Sequence, residues 1–317
     1  MCTAIRFVAQ DGGMFFGRNL DWERSYGERF VATPKGFEFP YRHMDTRPAQ
    51  HAIIGMGIAP DNYPLFFDCG NDAGLAVAGL NFPQTCCYAE APVEGKTNLA
   101  SFEFYAWVAS NFDTVDEVET ELSNVVITDA PYAPGMPSAP LHFIIADATR
   151  SIVVEPTREG LKVYHDDVDV LTNEPNFEFQ RMNLRNYLGL SVQAPEAEGW
   201  GNSEELKPFG MGLGMRGVPG DYYPTSRFVK AAFINNNYPT QDTEGKNVAR
   251  LFRTLGSVAV PLGAVKSPSG QWDLTLYQSG FSSATRTYFY STYDDPTIRT
   301  RCLDDVDFGD GDKVVVL

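Results

Sequence analysis

Asp11-Gly12-Gly13 lies between two β-prone runs, residues 3–9 and 14–17, and this turn constrains the fold more than any other feature of the chain. An aspartate followed by two glycines supplies the positive φ angles of a tight turn, so the two runs are predicted to pair as an antiparallel hairpin. The start of the chain then comes back beside Gly17-Arg18-Asn19-Leu20-Asp21-Trp22.

Short apolar runs separated by turns continue this pattern. Strands are predicted at 30–32, 52–58, 65–69 and 75–80, again at 141–146, 151–155, 161–165 and 168–172, and finally at 272–277 and 286–292. Helical periodicity appears at 99–110, 115–122, 175–190, 226–235 and 246–255, with Thr114 and Glu117 spaced as a capping box ahead of the second. A polar, Gly-rich stretch from 191 to 224 reads as the one linker-like loop. Strands and helices come in blocks and no period of roughly 20–50 residues repeats, which favours a layered α+β fold over a parallel alternating sheet or a solenoid. Residues 1–317 are expected to form one domain.

The chain carries 25 Lys and Arg against 41 Asp and Glu, a formal charge of −16. Phosphate backbones and anionic lipid surfaces both need a basic footprint, so neither nucleic acid nor stable membrane association is expected. With 43% hydrophobic residues the chain can fill a core, yet it has no apolar run near the roughly 20 residues of a membrane helix. The first residues show no basic segment followed by an apolar one, so a cytoplasmic location is expected. Five cysteines, an odd number without C-x-x-C spacing, argue against a disulfide framework.

Gly212-Leu213-Gly214-Met215-Arg216-Gly217 matches a dinucleotide fingerprint letter for letter, but polar loop precedes it and Val218-Pro219-Gly220 follows it. Such a site needs a strand before and a helix after, so a loop is expected instead. Asp307-Phe308-Gly309 reads as a turn, because no kinase catalytic segment accompanies it. His43, His51, His142 and His165 are scattered and offer no metal-ligand spacing, and neither a metal nor another cofactor is expected.

Cys2 stands out by position. Behind an initiator methionine, a residue this small permits trimming of Met1, leaving one residue that carries both a thiol and a free α-amine. Model α-amines titrate near about 7.7–8.0 and thiols near about 8.5, so the amine can take the thiol proton at little cost. The hairpin places Arg18 to favour the thiolate and Asp21 to hold the terminal ammonium; a bland reading would make them a surface ion pair worth under about 1 kcal/mol.

Met1-Cys2-Thr3, Phe16-Gly17-Arg18-Asn19-Leu20-Asp21-Trp22, Gly79-Leu80-Asn81-Phe82-Pro83, Leu171-Thr172-Asn173-Glu174-Pro175, Gly217-Val218-Pro219-Gly220-Asp221 and Pro224-Thr225-Ser226-Arg227-Phe228 occur in that order. Together they resemble the choloylglycine hydrolase family, and within it the conjugated bile salt hydrolases of gut bacteria, over nearly the whole chain to about Pro296. The resemblance implies an N-terminal nucleophile hydrolase, a four-layer αββα sandwich of two antiparallel sheets between helices. It implies Cys2 as nucleophile, Arg18 and Asp21 as its orienting pair, Asn81 and Asn173 around the oxyanion, Arg227 completing the charge network, and a homotetramer. The substrates it implies are small molecules, bile salts amide-linked to glycine or taurine.

A steroid acyl group requires an apolar cleft. Leu20, Trp22, Tyr26, Ile58, Phe66 and Phe67 are the candidates nearest the catalytic strand, each equally readable as core. The alternative within the family is a penicillin V acylase, whose members tend to carry Tyr where this chain has Asn81. The alternative outside enzymology is a steroid-binding protein without turnover, which would leave Cys2→Ala harmless.

Overall fold

The computed structural model describes residues 1–309 and 313–317. The predicted hairpin forms. Cys2–Val8 pairs antiparallel with Met14–Trp22, Val8 opposite Met14 and Cys2 opposite Leu20. Gly12 turns the corner at φ 88°, where a side chain would be strained, and Asp11 Oδ1 accepts from the Gly13 N–H at 3.0 Å.

This hairpin sits inside a sheet ordered Val170–Leu171, Cys2–Val8, Met14–Trp22, Trp272–Ser282, Thr287–Thr292 and Arg299–Cys302, with Val265–Lys266 alongside Trp272–Ser282. A second sheet runs Gly160–Asp166, Ser151–Thr157, Leu141–Ala146, Ala76–Asn81, Leu65–Asn71, Ile53–Ile58, Arg29–Thr33 and Val315–Val316. Every pairing in both is antiparallel.

Alternation along the strands of the second sheet builds the layers. Ala76, Ala78, Leu80, Ile144 and Ala146 face the first sheet, whereas Leu75, Val77, Phe143 and Ile145 pack with the helices Phe104–Asn111 and Val115–Leu122. On the far side of the first sheet lie the helices Pro224–Asn237 and Glu244–Gly256, contributing Phe228, Ala231, Leu251 and Leu255. The result is the four-layer αββα sandwich. Each Leu, Ile, Val or Phe among these, buried fully, stabilises by roughly 1.5–3 kcal/mol, and each alanine by less.

One glycine pair sets how closely the outer helix approaches. Gly17 and Gly280 are cross-strand partners, and a Cβ on either would come within 3.1 Å or 2.1 Å of the Leu251 methyl that rests on them. As Leu251 rests here, neither position leaves room for a larger side chain.

Several boundaries differ from the sequence reading. The predicted helix 99–110 begins as a strand, Thr97–Ala100, paired in parallel with Val125–Thr128, passes through the 3₁₀ turn Ser101–Glu103 and becomes α-helical only at Phe104. An apolar run of this length fits either period, and pairing decided it. The span 175–190 divides into Phe177–Asn183 and the 3₁₀ turn Leu184–Tyr187, and 168–172 contracts to Val170–Leu171. Thr114 caps its helix by accepting from Glu117 N–H at 3.3 Å, but the Glu117 carboxylate accepts from Asp113 N–H rather than closing the box on Thr114. The glycine fingerprint at 212–217 holds only the 3₁₀ turn Leu213–Met215, with neither a strand before it nor a helix directly after it. No described helix is long and apolar enough to cross a membrane.

Candidate active site

Because Cys2 opens the first strand, its side chain shares a sheet face with Leu20 directly opposite and with Arg18 on the diagonal. The sulfur is buried, and Arg18 Nη2 donates to it at 2.7 Å. Three carbonyls fix the same guanidinium: Nη1 donates to Phe67 and Gly79, each at 3.1 Å, and Nε to Asn19 at 3.3 Å. Burial works against the arginine's charge, but Cys2, Tyr277, Asp68 and Tyr105 outweigh it and hold the Arg18 pKa above its ordinary value.

A second set of groups grips the Cys2 main chain. Its N–H donates to Asn173 Oδ1 at 2.8 Å, and Arg227 Nη2 donates to that same oxygen at 2.7 Å. Arg227 Nη1 donates to the Cys2 carbonyl and, at 2.7 Å, to Thr3 Oγ1, while Nε donates to the Tyr222 carbonyl at 2.9 Å. Burial lowers the Arg227 pKa, with Asp21, Cys2 and Asp273 opposing it. Asn173 Nδ2 donates to the Asn81 carbonyl at 2.8 Å, so the ends of two distant segments meet at the nucleophile.

Asp21 sits on the opposite sheet face from the Cys2 sulfur, as strand alternation requires. Its Oδ1 accepts from Thr275 Oγ1 at 2.5 Å, and Oδ2, buried without a hydrogen bond, lies 3.9 Å from Arg227 Nη1. The expectation that its carboxylate holds the terminal ammonium concerns Cys2 freed of Met1; with Met1 in place the terminal ammonium is Met1's. That ammonium donates instead to the Asp21 carbonyl at 2.6 Å and to Asp273 Oδ2 at 3.5 Å.

The apolar candidates divide. Leu20, Trp22 and Phe67 are half-buried, and exposed Tyr26 stands edge-on to Phe67 with ring centroids 5.6 Å apart. Phe66 and Ile58 turn away and pack on the outer, helix-side cluster. Strand alternation splits the adjacent phenylalanines, and a bulge, with Met56 paired to Asp68 and Gly57 to Phe66, leaves Phe67 as the extra residue on the same inter-sheet side as Asp68. A separate cavity of about 610 Å³, walled by Tyr41, Arg42, Tyr63, Phe102 and Tyr132, includes none of these site residues.

Sequence reasoning missed Thr3, Thr275, Asp273 and Asp68. Only Asp68 left a local signal, a lone carboxylate within the otherwise largely apolar strand Leu65–Asn71. Among the described residues no group of three or more His, Cys, Asp or Glu could hold a metal ion. The assembly is therefore a thiol cradled by a guanidinium, on a backbone locked by an amide and a second guanidinium. That is equipment for nucleophilic attack on a carbonyl.

Comparison with known proteins agrees. The sequence model of the linear amide C–N hydrolases, choloylglycine hydrolase family, matches residues 2–316. A bile salt hydrolase/transferase of Bifidobacterium longum is 47% identical over 322 residues, covering 100% of this chain and 99% of its own. A conjugated bile acid hydrolase of Lactobacillus acidophilus is 44% identical, covering 96% of each chain. Among solved structures, the R18L variant of the conjugated bile acid hydrolase from Clostridium perfringens superposes with a TM-score of 0.92 at 34% identity, covering 100% of this chain and 96% of that one.

Proposed function

The chain belongs to the choloylglycine hydrolase family, and so hydrolyses linear amide C–N bonds, and from that premise we propose that its substrates are glycine- and taurine-conjugated bile salts, attacked by Cys2 after removal of Met1. The contact between Arg18 Nη2 and Cys2 Sγ, made while Asn173 and Arg227 hold the Cys2 backbone, carries this reading. Relatives named for bile salts and bile acids at 47% and 44% identity support the substrate class.

In the proposed cycle the Cys2 sulfur attacks the amide carbonyl carbon, with the α-amine freed by Met1 removal taking the thiol proton. Asn81 and Asn173 line the oxyanion side. The C–N bond then breaks, the amino acid leaves with that proton on its nitrogen, and a thioester remains. Water attacks the thioester, the C–S bond breaks, and free bile acid departs as the thiol is restored. Leu20, Trp22, Tyr26 and Phe67 are the side chains we assign to the steroid. The catalytic unit is taken as residues 1–317, assembled as a homotetramer in the cytoplasm.

Ninhydrin-detected amine release under reducing conditions tests the proposal, with glycocholate, taurocholate and penicillin V compared against Cys2→Ala. Release from the bile salts well above penicillin V, lowered by at least roughly 10³-fold in the variant, is the expected result. A penicillin V preference would keep the nucleophile and change the substrate. Full activity in Cys2→Ala would end the mechanism. Intact mass reports Met1 directly: an active protein that retains it would refute the α-amine role.

A further inference from the structure

Beneath Arg18 lies a buried polar cluster that the proposed cycle leaves unused. Asp68 is 2% exposed, and its carboxylate accepts from three hydroxyls: Tyr277 Oη at 2.6 Å on Oδ1, Ser279 Oγ at 2.9 Å and Tyr288 Oη at 2.5 Å on Oδ2. All three donors are neutral. Burial raises the Asp68 pKa, with Arg18 the strongest influence opposing that rise. Reciprocally, Asp68 is among the groups that sustain the charge on Arg18. Among the described residues no ion pair within 4.0 Å joins the two; the group they share is Tyr277, whose ring centroid is 6.0 Å from Arg18 Cζ and whose hydroxyl donates to Asp68. A phenol donating to a carboxylate carries a more negative ring face, and this strengthens its attraction for a guanidinium.

The other contacts of Arg18 explain why this matters. Its hydrogen bonds go to three carbonyls, which bear no net charge, and to the Cys2 sulfur, which loses any charge once a thioester forms. At 1% exposure the guanidinium would then be a buried cation without a counter-charge, a strongly unfavourable state. Asp68 is the anion whose charge does not change as sulfur is acylated and released. We infer that Asp68 is a positioning residue for the reaction, acting through Tyr277 to keep Arg18 charged and aimed at Cys2 Sγ during the acyl-enzyme stage. The inference rests on Cys2 as the attacking thiol.

Asp68→Asn, Tyr277→Phe and the double variant test it, each compared with the parent protein for near-UV circular dichroism and thermal midpoint. Two rates are read at a temperature where all are folded: iodoacetamide alkylation of Cys2, and kcat and KM for glycocholate. Asp68→Asn is expected to lower alkylation and kcat by at least about fivefold with KM within about twofold, and the double variant to be no slower than Asp68→Asn within about twofold, because both changes cut one path. Parental rates in a folded Asp68→Asn protein, or losses that simply multiply in the double variant, would overturn the inference. Should Asp68→Asn fail to fold, Tyr277→Phe alone decides, since Ser279 and Tyr288 still pair the carboxylate there: unchanged alkylation and kcat would refute the role. Alkylation needs no substrate, so a parent protein that is alkylated at Cys2 but releases no amine would sink the bile-salt reading while leaving this comparison intact.

Discussion

Arg227 divides one guanidinium among the Cys2 carbonyl, Thr3 Oγ1, Asn173 Oδ1 and the Tyr222 carbonyl, and its planar fork makes this possible. Lysine would keep the charge and lose the fork. Arg227→Lys is therefore expected to leave the sandwich folded and to lower kcat by about 10²-fold, the scale associated with displacing a reacting group by about 1 Å; steady-state amine release checks it, and a KM effect alone would contradict it. The sequence shows at this scale what the hairpin imposes: Arg18 and Cys2 share a face because their positions are diagonal across a register fixed by Asp11-Gly12-Gly13. Asn173 and Arg227, 171 and 225 residues from Cys2, were reachable only through resemblance, since nothing local says where their segments meet. Asp21 shows the limit: its position was legible, but the ammonium it is expected to hold is that of Cys2 freed of Met1, whereas with Met1 in place the terminal ammonium is Met1's, held by the Asp21 carbonyl and Asp273.

Among the elements, the paired strands Met14–Trp22 and Trp272–Ser282 depend on glycine at their crossing with the helix Glu244–Gly256. A Cβ on Gly17 would lie 2.2 Å from the Ser279 carbonyl oxygen, which cannot move without breaking the ladder, whereas on Gly280 the near atom is the Leu251 methyl, which can rotate away. Gly17→Ala should cost more than about 2 kcal/mol and Gly280→Ala clearly less, an ordering urea unfolding would reveal and equal costs would refute. The turn entering Val170–Leu171 makes a separate prediction. Asp166 is fully buried and accepts from the Val168 and Asp169 N–H groups, and burial first, then the neighbouring Asp169, raises its pKa well above the ordinary carboxyl value. A carboxyl with a raised folded-state pKa holds its proton longer in the folded than in the unfolded chain. Its contribution is thus present at acidic pH and lost as pH rises through the folded pKa. Asp166→Asn removes that titration, so the variant's thermal midpoint should gain on the parent's from pH 4.5 to pH 8; a constant difference would show that Asp166 does not titrate in this way. Elements of long, clear period were read well, as at Val115–Leu122 and Leu141–Ala146, while Thr97–Ala100 and Val125–Thr128 were not, because a parallel pair of four residues each exists only through its partner.

On the whole molecule, large apolar side chains on the loop between 188 and 211, Leu188, Val192, Trp200, Leu206, Phe209 and Met211, stand in solvent on a chain of net charge −16. The proposed homotetramer gives them a partner surface in other copies, and light scattering should return four times the 35.1 kDa chain mass; a monomer that stays soluble and active would exclude that role. By itself the sequence determined the hairpin, the block order of strands and helices, and the two-residue alternation that gives the second sheet two apolar faces, because each follows from backbone geometry within a few residues. Tertiary structure alone decided which residues surround the thiol from elsewhere. Asn81 and Asn173 meet through one hydrogen bond, Phe67 joins Asp68 on the inter-sheet side at a bulge set by a neighbouring strand, and Asp68 approaches Arg18 across two sheets through Tyr277. Contacts of that kind depend on the stacking and register of whole layers, and no local stretch of chain carries that information.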